Sequence, residues 1–385
     1  MSSSGIEIVE CTTPQQRDEF IFFQWVPYKG NPYWVPPLIS ERREFYDKTR
    51  HPFHLHAEVA MFLAKRDGQT VGTIYATDNR AHNEFQHENV GMFGGFECLN
   101  DQAVADALFD RAAEWLKARG RSAIRGPFNF STNEECGLLI DAFDDSPRLM
   151  MTYNPPYYRE LIERAGFTKA MDMYAYLKDV SQLRSMDAFP EKLRRVTEKA
   201  MQHRQITIRK IDMKHFEEEV DRVKAIYNSA WARNWGFVPM TEAEFEHLAK
   251  GLKMVLDPDL IFIVEAKGEP VGFGLTIPDV NEPLRRAYPR PGVPEWWTLM
   301  KFFYNMKFRK VMKYIRVLVL GVLAEYRVTG IDGMLYVKSA EEAIKKGYYL
   351  GESSWILENN YPMRNALEKI DSVIYKTYRI YEKAL

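Results

Sequence analysis

Runs of apolar and polar residues divide the chain into strands and helices, and their order occurs twice. In the first half, the pattern predicts a strand, a helix, a hairpin, a strand, a helix, a strand, a short helix and a strand, at 6–11, 14–23, 57–65 with 70–77, 90–98, 101–119, 123–130, 156–165 and 171–179. The same order restarts at 206–211, 216–232, 260–267 with 271–277, 317–323, 334–346, 349–357, 363–370 and 376–383. Strands that alternate with helices in this way predict an α/β (α+β) fold.

This repeat predicts two domains. At 385 residues the chain is too long for one small core. We expect an N-terminal domain at 1–180 and a C-terminal domain at 204–385. Residues 181–203 lack strand character and carry several cations, which favours a linking helix. The repeat is one of pattern, without a strong residue-by-residue match.

Composition excludes several classes of protein. The net charge of −1 gives no global field that would attract nucleic acid, so no nucleic-acid partner is expected. Three distant cysteines and the cluster of His51, His54 and His56 lack metal-ligand spacing, so no metal site or disulfide scaffold is expected. The first ten residues show no secretory signal, and no apolar run is long enough to span a membrane. We therefore expect a cytoplasmic protein.

One stretch near the C-terminus has the pattern of a phosphate cradle. Residues 317–333 begin as a continuous apolar run and end in a turn that contains Gly330 and Gly333. A helix at 334–346 follows. Backbone N–H groups of such a turn, with the partial positive charge of a helix N-terminus, bind anions. A buried strand that feeds a helix remains an equal alternative at this point.

Residues 324–332, Ala-Glu-Tyr-Arg-Val-Thr-Gly-Ile-Asp, resemble the acyl-CoA pyrophosphate loop of GNAT-superfamily N-acyltransferases. That family commonly has Pro-Glu-Tyr-Arg-Gly-x-Gly-Ile-Gly here. Arg327 and Gly330 match, whereas Val328 and Asp332 replace frequent glycines. The element order of each half also resembles one GNAT domain. The resemblance therefore implies two tandem GNAT-like domains, each with a mixed, mostly antiparallel sheet flanked by helices.

The resemblance implies transfer of an acetyl or longer acyl group from CoA to an amine. It assigns acetyl-CoA or acyl-CoA to backbone and side chains of the fourth strand, the loop and a later turn: Leu320, Val322, Leu323, Arg327, Val328, Thr329, Gly330, Ile331, Asp332 and Asn359. The first half has no such loop, since Phe96 to Asp101 stand in its place. The resemblance therefore implies that the first domain lacks a CoA site and helps to bind the acceptor. Polar loops at strand ends offer Asn133, Asn154 and Tyr157 for this role.

Acyl transfer also needs groups that move protons. Glu352, on the strand after the loop helix, is a candidate general base, and Tyr378 (with Tyr381 as a second choice) is a candidate acid for the thiolate. A solvated strand-end carboxylate, core tyrosines and a plain turn at Asn359 remain open as structural interpretations.

Residues 296–316 carry six cations, no acid and an aromatic face at helical spacing. This pattern is typical of a helix at a membrane surface or beside an acyl-chain groove, and equally of a helix packed on the sheet. This favours a lipid or long-chain acceptor. The resemblance alone implies one specific option, a long-chain sphingoid base, which some tandem GNAT-like proteins acylate. A peripheral location at the inner face of the membrane would follow. Two alternatives stay open: a Fem-like aminoacyl or peptidyl transferase, and a non-catalytic acyl-CoA-binding module at a membrane.

Overall fold

The structure is a computed structural model that describes residues 5–183 and 191–385. Contacts divide this part of the chain into two compact units. The first unit comprises residues up to Met173 with Asn281–Lys310 and Lys376–Leu385, and the second comprises Tyr174–Val280 and Val311–Tyr375. Each unit thus draws on both halves of the sequence. Residues 184–190 of the predicted linking helix lie outside the described residues, and a helix occupies Glu191–His203.

The described residues form 13 strands and 12 α-helices. The strands are β1 (Ile6–Glu10), β2 (Ala57–Arg66), β3 (Gln69–Asn79), β4 (Val90–Cys98), β5 (Ala123–Gly126), β6 (Leu138–Leu139), β7 (Thr168–Asp179), β8 (Ile206–Lys210), β9 (Ile261–Ala266), β10 (Glu269–Pro278), β11 (Tyr314–Val322), β12 (Leu350–Leu357) and β13 (Val373–Ala384). The α-helices are α1 (Pro14–Phe23), α2 (Ile39–Phe45), α3 (Arg80–Gln86), α4 (Gln102–Lys117), α5 (Tyr158–Arg164), α6 (Glu191–His203), α7 (Phe216–Trp231), α8 (Glu242–Leu252), α9 (Asn281–Ala287), α10 (Glu295–Lys307), α11 (Ile331–Lys345) and α12 (Tyr361–Glu368).

The first unit is built on a mixed sheet. Strands β1 to β4 are neighbours in sequence order and pair antiparallel, and β4 then pairs parallel with β5. The end of the chain completes this sheet, because β13 pairs antiparallel with β5 from Tyr381↔Gly126 to Ala384↔Ala123. Helix α4 covers one face and buries seven residues against it: Val104, Ala105, Leu108, Phe109, Ala112, Trp115 and Leu116. Burial of each large side chain in this row contributes about 1.5–3 kcal/mol, which fixes α4 on the sheet.

The second unit repeats this arrangement. Strands β8, β9, β10 and β11 pair antiparallel in order, and β11 pairs parallel with β12. Helix α11 takes the place of α4 and buries Ile331, Leu335, Val337 and Ala340 among others. The duplicated pairing confirms the predicted α/β (α+β) class and the mixed, mostly antiparallel sheets flanked by helices.

The register shows how closely the two units match. The β2–β3 turn is Asp67-Gly68 and the β9–β10 turn is Lys267-Gly268, all four with positive φ. Each turn glycine is followed four residues later by another glycine, Gly72 in the first unit and Gly272 in the second. Gly72 pairs with Cys98, and Gly272 pairs with Val322. Both fourth strands also contain a register shift, which marks a β-bulge. Positions in one unit can therefore be compared with positions in the other.

Two sequence predictions are wrong in extent. The strand predicted at 123–130 ends at Gly126, because Pro127 lacks the N–H group that a sheet ladder needs. The single helix predicted at 296–316 ends at Lys307. Lys310 has a φ of 47°, outside the helical region, and the chain then enters β11, where Arg316 is buried. Helices α2, α3, α8 and α9 were not predicted.

Helix α10 presents its aromatic side chains outward. Thr298 and Asn305 are its buried residues, and the Asn305 amide donates to the Pro283 carbonyl of α9 at 3.5 Å. The large apolar side chains of this segment are 41–77% exposed: Trp296, Trp297, Met300, Phe303, Tyr304 and Phe308. Lys301, Lys307, Arg309 and Lys310 are exposed among them. We call this surface the aromatic–basic face.

Candidate functional site

In the second unit, the fourth and fifth strands of the sheet pair over a short length only. β11 and β12 pair from Tyr314↔Leu350 to Val317↔Ser353. Beyond this register, β11 continues to Val322 along β10, and the side chains of residues 317–320 are partly exposed. An extended backbone edge without a neighbouring strand offers N–H and C=O groups to a ligand that contains amides.

The loop at the end of β11 leads into a helix with an open N-terminus. Residues Ala324–Thr329 form one 3-10 segment, Gly330 has a φ of 78°, and α11 begins at Ile331. Gly330 is the N-cap residue, and no side chain there caps the helix. Of the first-turn N–H groups, those of Asp332 and Gly333 bond the Asp332 carboxyl group. The remaining first-turn N–H groups and the helix dipole favour an anion beside the loop.

Two arginines hold this loop in place. The Arg327 guanidinium donates to the carbonyl of Val322 at 3.1 Å and to that of Ala230 at 2.8 Å. Arg204, just after α6, donates to the carbonyl of Glu325 at 2.7 Å. Arg327 is exposed and uses two of its five N–H groups in these bonds, so its charge remains at the surface of the loop.

Asp332 is the residue of the loop that opposes an anion. Burial raises the pKa of its carboxyl group, while the N–H groups of Gly333 and of Asp332 itself act in the opposite direction. The ionised carboxylate would repel a pyrophosphate at the start of α11, and burial acts against that ionised form.

Glu352 lies in a buried polar network of the second unit. It is fully buried on β12, directly across from Arg316 on β11, and the nearest atoms of this pair are 3.8 Å apart. Ser354 Oγ donates to Glu352 Oε1 at 2.7 Å, and the Tyr375 hydroxyl donates to Oε2. The carboxylate thus has an ion pair and two hydroxyl donors where the two strands begin to separate. Asn359 is exposed in the turn after β12, whereas Asn360 caps α12.

The remaining predicted residues lie in the first unit, which contains a cavity of about 200 Å³. Asn154 lines it and also bonds both backbone groups of Leu139, at 2.8 and 3.1 Å. Asn133 and Tyr157 lie outside its lining, and the Tyr157 hydroxyl donates to the carbonyl of Cys98 at 2.8 Å. Tyr378 is fully buried on β13 beside Leu139. The structure therefore assigns the predicted catalytic residues Glu352 and Tyr378 to different units.

Sequence reasoning missed the ionisable residues of this cavity. Glu97 follows the Gly94-Gly95 bulge of β4, and Arg42 and Glu135 form an ion pair at 3.2 Å. A glycine pair inside a strand is a recognisable signal of a bulge, and an acid two residues later is then a candidate for a site. Arg42 lies on α2, which the pattern did not predict.

Two known proteins are similar to nearly the whole chain. The protein named bacterial ceramide synthase of Caulobacter vibrioides (strain NA1000 / CB15N) is 35% identical over 389 residues, which covers 100% of this chain and 99% of that protein. Protein YghO of Escherichia coli (strain K12) is 35% identical over 370 residues, covering 95% and 92%. The chain belongs to the family of these two proteins. No family model matches it.

Solved structures identify the fold of this family member. A tandem GNAT protein from the clavulanic acid biosynthesis pathway matches with a TM-score of 0.56 at 10% identity, and 98% of each chain is covered. A GCN5-related N-acetyltransferase from Sphaerobacter thermophilus matches with a TM-score of 0.52 at 13% identity, covering 98% of this chain and 95% of the other. These likenesses confirm the tandem GNAT fold over nearly the whole chain.

Within residues 5–183 and 191–385, no helix combines the length and apolar content needed to cross a bilayer. In the same part of the chain, no group of three or more His, Cys, Asp or Glu side chains is placed to hold a metal ion.

Proposed function

We propose that the protein is an N-acyltransferase that takes an acyl group from CoA and transfers it to an amine. One observation in the second unit carries this proposal: the part of β11 that lies beyond its pairing with β12 leads to Gly330 and then to α11, whose N-cap residue has no capping side chain. Residues 320–323 would pair with the pantetheine amides, and the N–H groups of residues 327–332 would hold the pyrophosphate. The fold, which is that of N-acyltransferases, supports the same reaction class.

Within this reaction, the amine must lose a proton and the thiolate must gain one. Glu352, in the same unit as the open strand edge, would act as the base or orient a water molecule. Tyr378, the acid expected from the sequence, is fully buried in the first unit, so this proposal gives it no step at the CoA site of the second unit. Asn359 would add a contact to CoA from its exposed turn. Asn133, Asn154 and Tyr157 would contact the acceptor.

The acceptor in this proposal is a long-chain lipid amine. Two observations support it: a family member at 35% identity is named bacterial ceramide synthase, and the aromatic–basic face exposes six large apolar side chains. Aromatic side chains with interspersed lysine and arginine fit the interface of an anionic bilayer. The protein would contact the membrane surface through α10 and take its acceptor from there.

Acyl transfer can be tested with purified protein, acetyl-CoA or palmitoyl-CoA, and sphinganine, by following free thiol release and the amide product. The expected result is CoA release that depends on the amine, with an N-acyl product. If neither acyl-CoA binds to folded protein, the proposal is wrong. Binding without turnover on any amine would favour the non-catalytic acyl-CoA-binding module, and transfer from charged tRNA would favour the Fem-like alternative.

Membrane contact can be tested by sedimentation with vesicles of phosphatidylglycerol or phosphatidylcholine. We expect binding to the anionic vesicles, and its loss when Lys301, Lys307, Arg309 and Lys310 are changed to Gln. Arg316 is left intact because it is buried against Glu352. A control variant with Lys117→Gln and Lys250→Gln, which removes exposed cations elsewhere, should bind as the wild type does. Equal binding by both variants would contradict the assignment of the aromatic–basic face.

A further inference from the structure

The cavity of the first unit is enclosed by elements from distant parts of the sequence. Its lining comes from β4, from α2, from α5, from the loops at 127–138 and 147–154, and from α9 through Asn281 and Leu284. Asn281 is fixed there, since its amide donates to the carbonyl of Pro147 at 2.9 Å. At about 200 Å³ the cavity far exceeds the ~10–15 Å³ that one water needs, so it can hold an organic group.

Glu97 projects into this cavity between two tyrosines. Tyr158 accepts the N–H of Cys98 at 2.8 Å and therefore donates its own proton to Glu97 Oε2, at 2.7 Å. Tyr28 lies 3.3 Å from Glu97 Oε1 and 3.0 Å from the carbonyl of Tyr153. Because Tyr28 has one proton for both acceptors, Oε1 keeps accepting capacity for a ligand.

Carboxyl groups outnumber cations in the lining. Glu41, Glu97 and Glu135 face it, and Arg42 is its single Lys or Arg side chain. Arg42 is engaged by Glu135 at 3.2 Å, and Glu135 also accepts from Asn129 at 3.0 Å. Glu97 therefore has no ion-pair partner among the lining residues, although the charge of Arg42 acts on it from a greater distance and opposes the effect of burial. Burial raises the pKa of Glu97 to about 8, with the bonds from Tyr158 and Tyr28 acting in the opposite direction.

The rest of the lining suits the body of an alkylamine. Tyr28 and Trp34 stack with ring centroids 4.6 Å apart, and aromatic faces attract ammonium groups. Leu138, Leu149, Met150, Met151 and Leu284 supply an apolar wall. Helix α9, which provides Leu284, packs against α10 through the Asn305–Pro283 bond. The cavity therefore adjoins the element that carries the aromatic–basic face.

We propose that this cavity binds the ammonium group of a primary alkylamine, with the Glu97 carboxylate as its counter-ion. The description of this amine as the acyl acceptor rests on the proposed function, whereas its binding does not. On binding at neutral pH, Glu97 gives up its proton to solvent and the ammonium nitrogen donates to Oε1. The ammonium nitrogen can also pass a proton to the Glu97 carboxylate. The amine then stays bound in its neutral form, beside the neutral carboxyl group.

The test is isothermal titration calorimetry of the full chain with octylamine and with 1-octanol at pH 7, in two buffers of different ionisation enthalpy. The wild type should bind octylamine at least tenfold more tightly than 1-octanol and release about one proton per amine. Glu97→Gln, which keeps the shape of the side chain, should bind octylamine at least tenfold more weakly and release no proton. Glu160→Gln, at an exposed position on α5, should behave as the wild type.

The pH dependence of binding provides a second measurement. Below pH 8 the affinity for octylamine should fall about tenfold per pH unit, because each binding event must displace one proton. The tyrosine, cysteine and arginine groups that face Glu97 keep their charge in this range, because each has a raised pKa: Tyr28, Tyr46, Tyr157, Tyr158, Cys98 and Arg42. Burial also raises the pKa of the Glu41 carboxyl in the same lining, so the pH slope is compared with that of Glu97→Gln, in which it should disappear if Glu97 causes it.

Several results would overturn the inference: equal affinity for amine and alcohol, unchanged proton release in Glu97→Gln, or a pH-independent affinity. CoA binding, measured on the same samples, separates this inference from the proposed function. Retained CoA binding without amine binding refutes the cavity assignment alone. Amine binding without any acyl transfer refutes the proposed function alone.

Discussion

The two units have the same strand register but differ at two equivalent positions. The difference lies one residue after Gly72 and Gly272. In the first unit Thr73 of β3 faces Glu97 of β4, and in the second unit Phe273 of β10 faces Gly321 of β11. A Cβ at Gly321 would lie 2.4 Å from the Trp231 ring, so that ring occupies the space above the strand. The position that opens into a polar cavity in one unit is filled by an aromatic ring in the other.

The helix that follows each fourth strand differs in the opposite sense. In the first unit Asp101 caps α4 through the N–H groups of Ala103 and Val104 and pairs with Arg66 at 2.8 Å. In the second unit Gly330 leaves α11 open. In the described residues, the first unit therefore combines a cavity with a capped helix. The second combines an aromatic ring in the equivalent space with a helix whose N-cap residue has no capping side chain.

The largest expected effect concerns the open helix. Gly330→Ala should weaken CoA binding about 100-fold, or about 2.7 kcal/mol, because alanine disfavours the φ of 78° that shapes the loop at the start of α11. Gly347→Ala is the matched control, since Gly347 has a φ of 85° at the other end of α11 with nothing within 4 Å. Calorimetry with CoA should show the control unchanged; similar losses in both would indicate helix strain instead.

The next effect concerns the pH dependence of stability. Glu97, with its pKa raised to about 8, holds a proton in the folded state that the unfolded chain has lost above pH ~4.5. Stability from this group is therefore present at low pH and is lost as pH rises through 8. Between pH 6 and 8 the wild type should lose about 2 kcal/mol more than Glu97→Gln, as measured by urea unfolding. Parallel pH profiles would contradict the raised pKa.

A smaller effect should follow overpacking in the second unit. Gly321→Ala places a methyl group against Trp231 and should cost about 1–2 kcal/mol of unfolding free energy. Gly274→Ala on β10 is the control, because its Cβ would meet Leu335 at 3.4 Å, an ordinary contact. Chemical denaturation that ranks the two variants equally would mean that Trp231 moves easily, and the contrast with Glu97 would weaken.

The smallest effect should come from Asp332. Asp332→Gly removes a carboxyl group from the start of α11 and should strengthen CoA binding about threefold, within the ~0.3–1 kcal/mol range of helix-terminus charges. The gain should shrink at low pH, where the wild-type carboxyl is already neutral. Asp101→Ala, at the capped helix of the first unit, should leave CoA affinity unchanged. Equal shifts from both variants would remove the distinction between the helices.

The duplicated fold could be predicted from the sequence because its signals are local. Period-two runs, turn glycines and the α4 apolar stripe each depend on neighbouring residues. Helix α8 could have been found too, since Thr241 and Glu244 form a capping box. Only the extent of α10 was wrong, because the apolar spacing continues past Lys307 although Lys310 has a φ of 47° and the chain turns there into β11.

The sites were predicted unequally for a related reason. The loop of the second unit is one continuous stretch, so its pattern was visible as such. The cavity of the first unit joins Tyr28, Arg42, Glu97, Glu135 and Tyr158, residues that meet only in the fold. The spacing of these residues along the chain does not indicate that they are close in space. Among the five, Glu97 has a local sequence signal, because it follows the Gly94-Gly95 pair.

The last ten residues of the chain belong to the first unit, where β13 pairs with β5. During synthesis, the first 173 residues therefore leave the ribosome before the strand that completes their sheet exists. Until then β5 has an open edge, which is a surface prone to non-native pairing. The sheet of the first unit is therefore completed only after β13 has been synthesised.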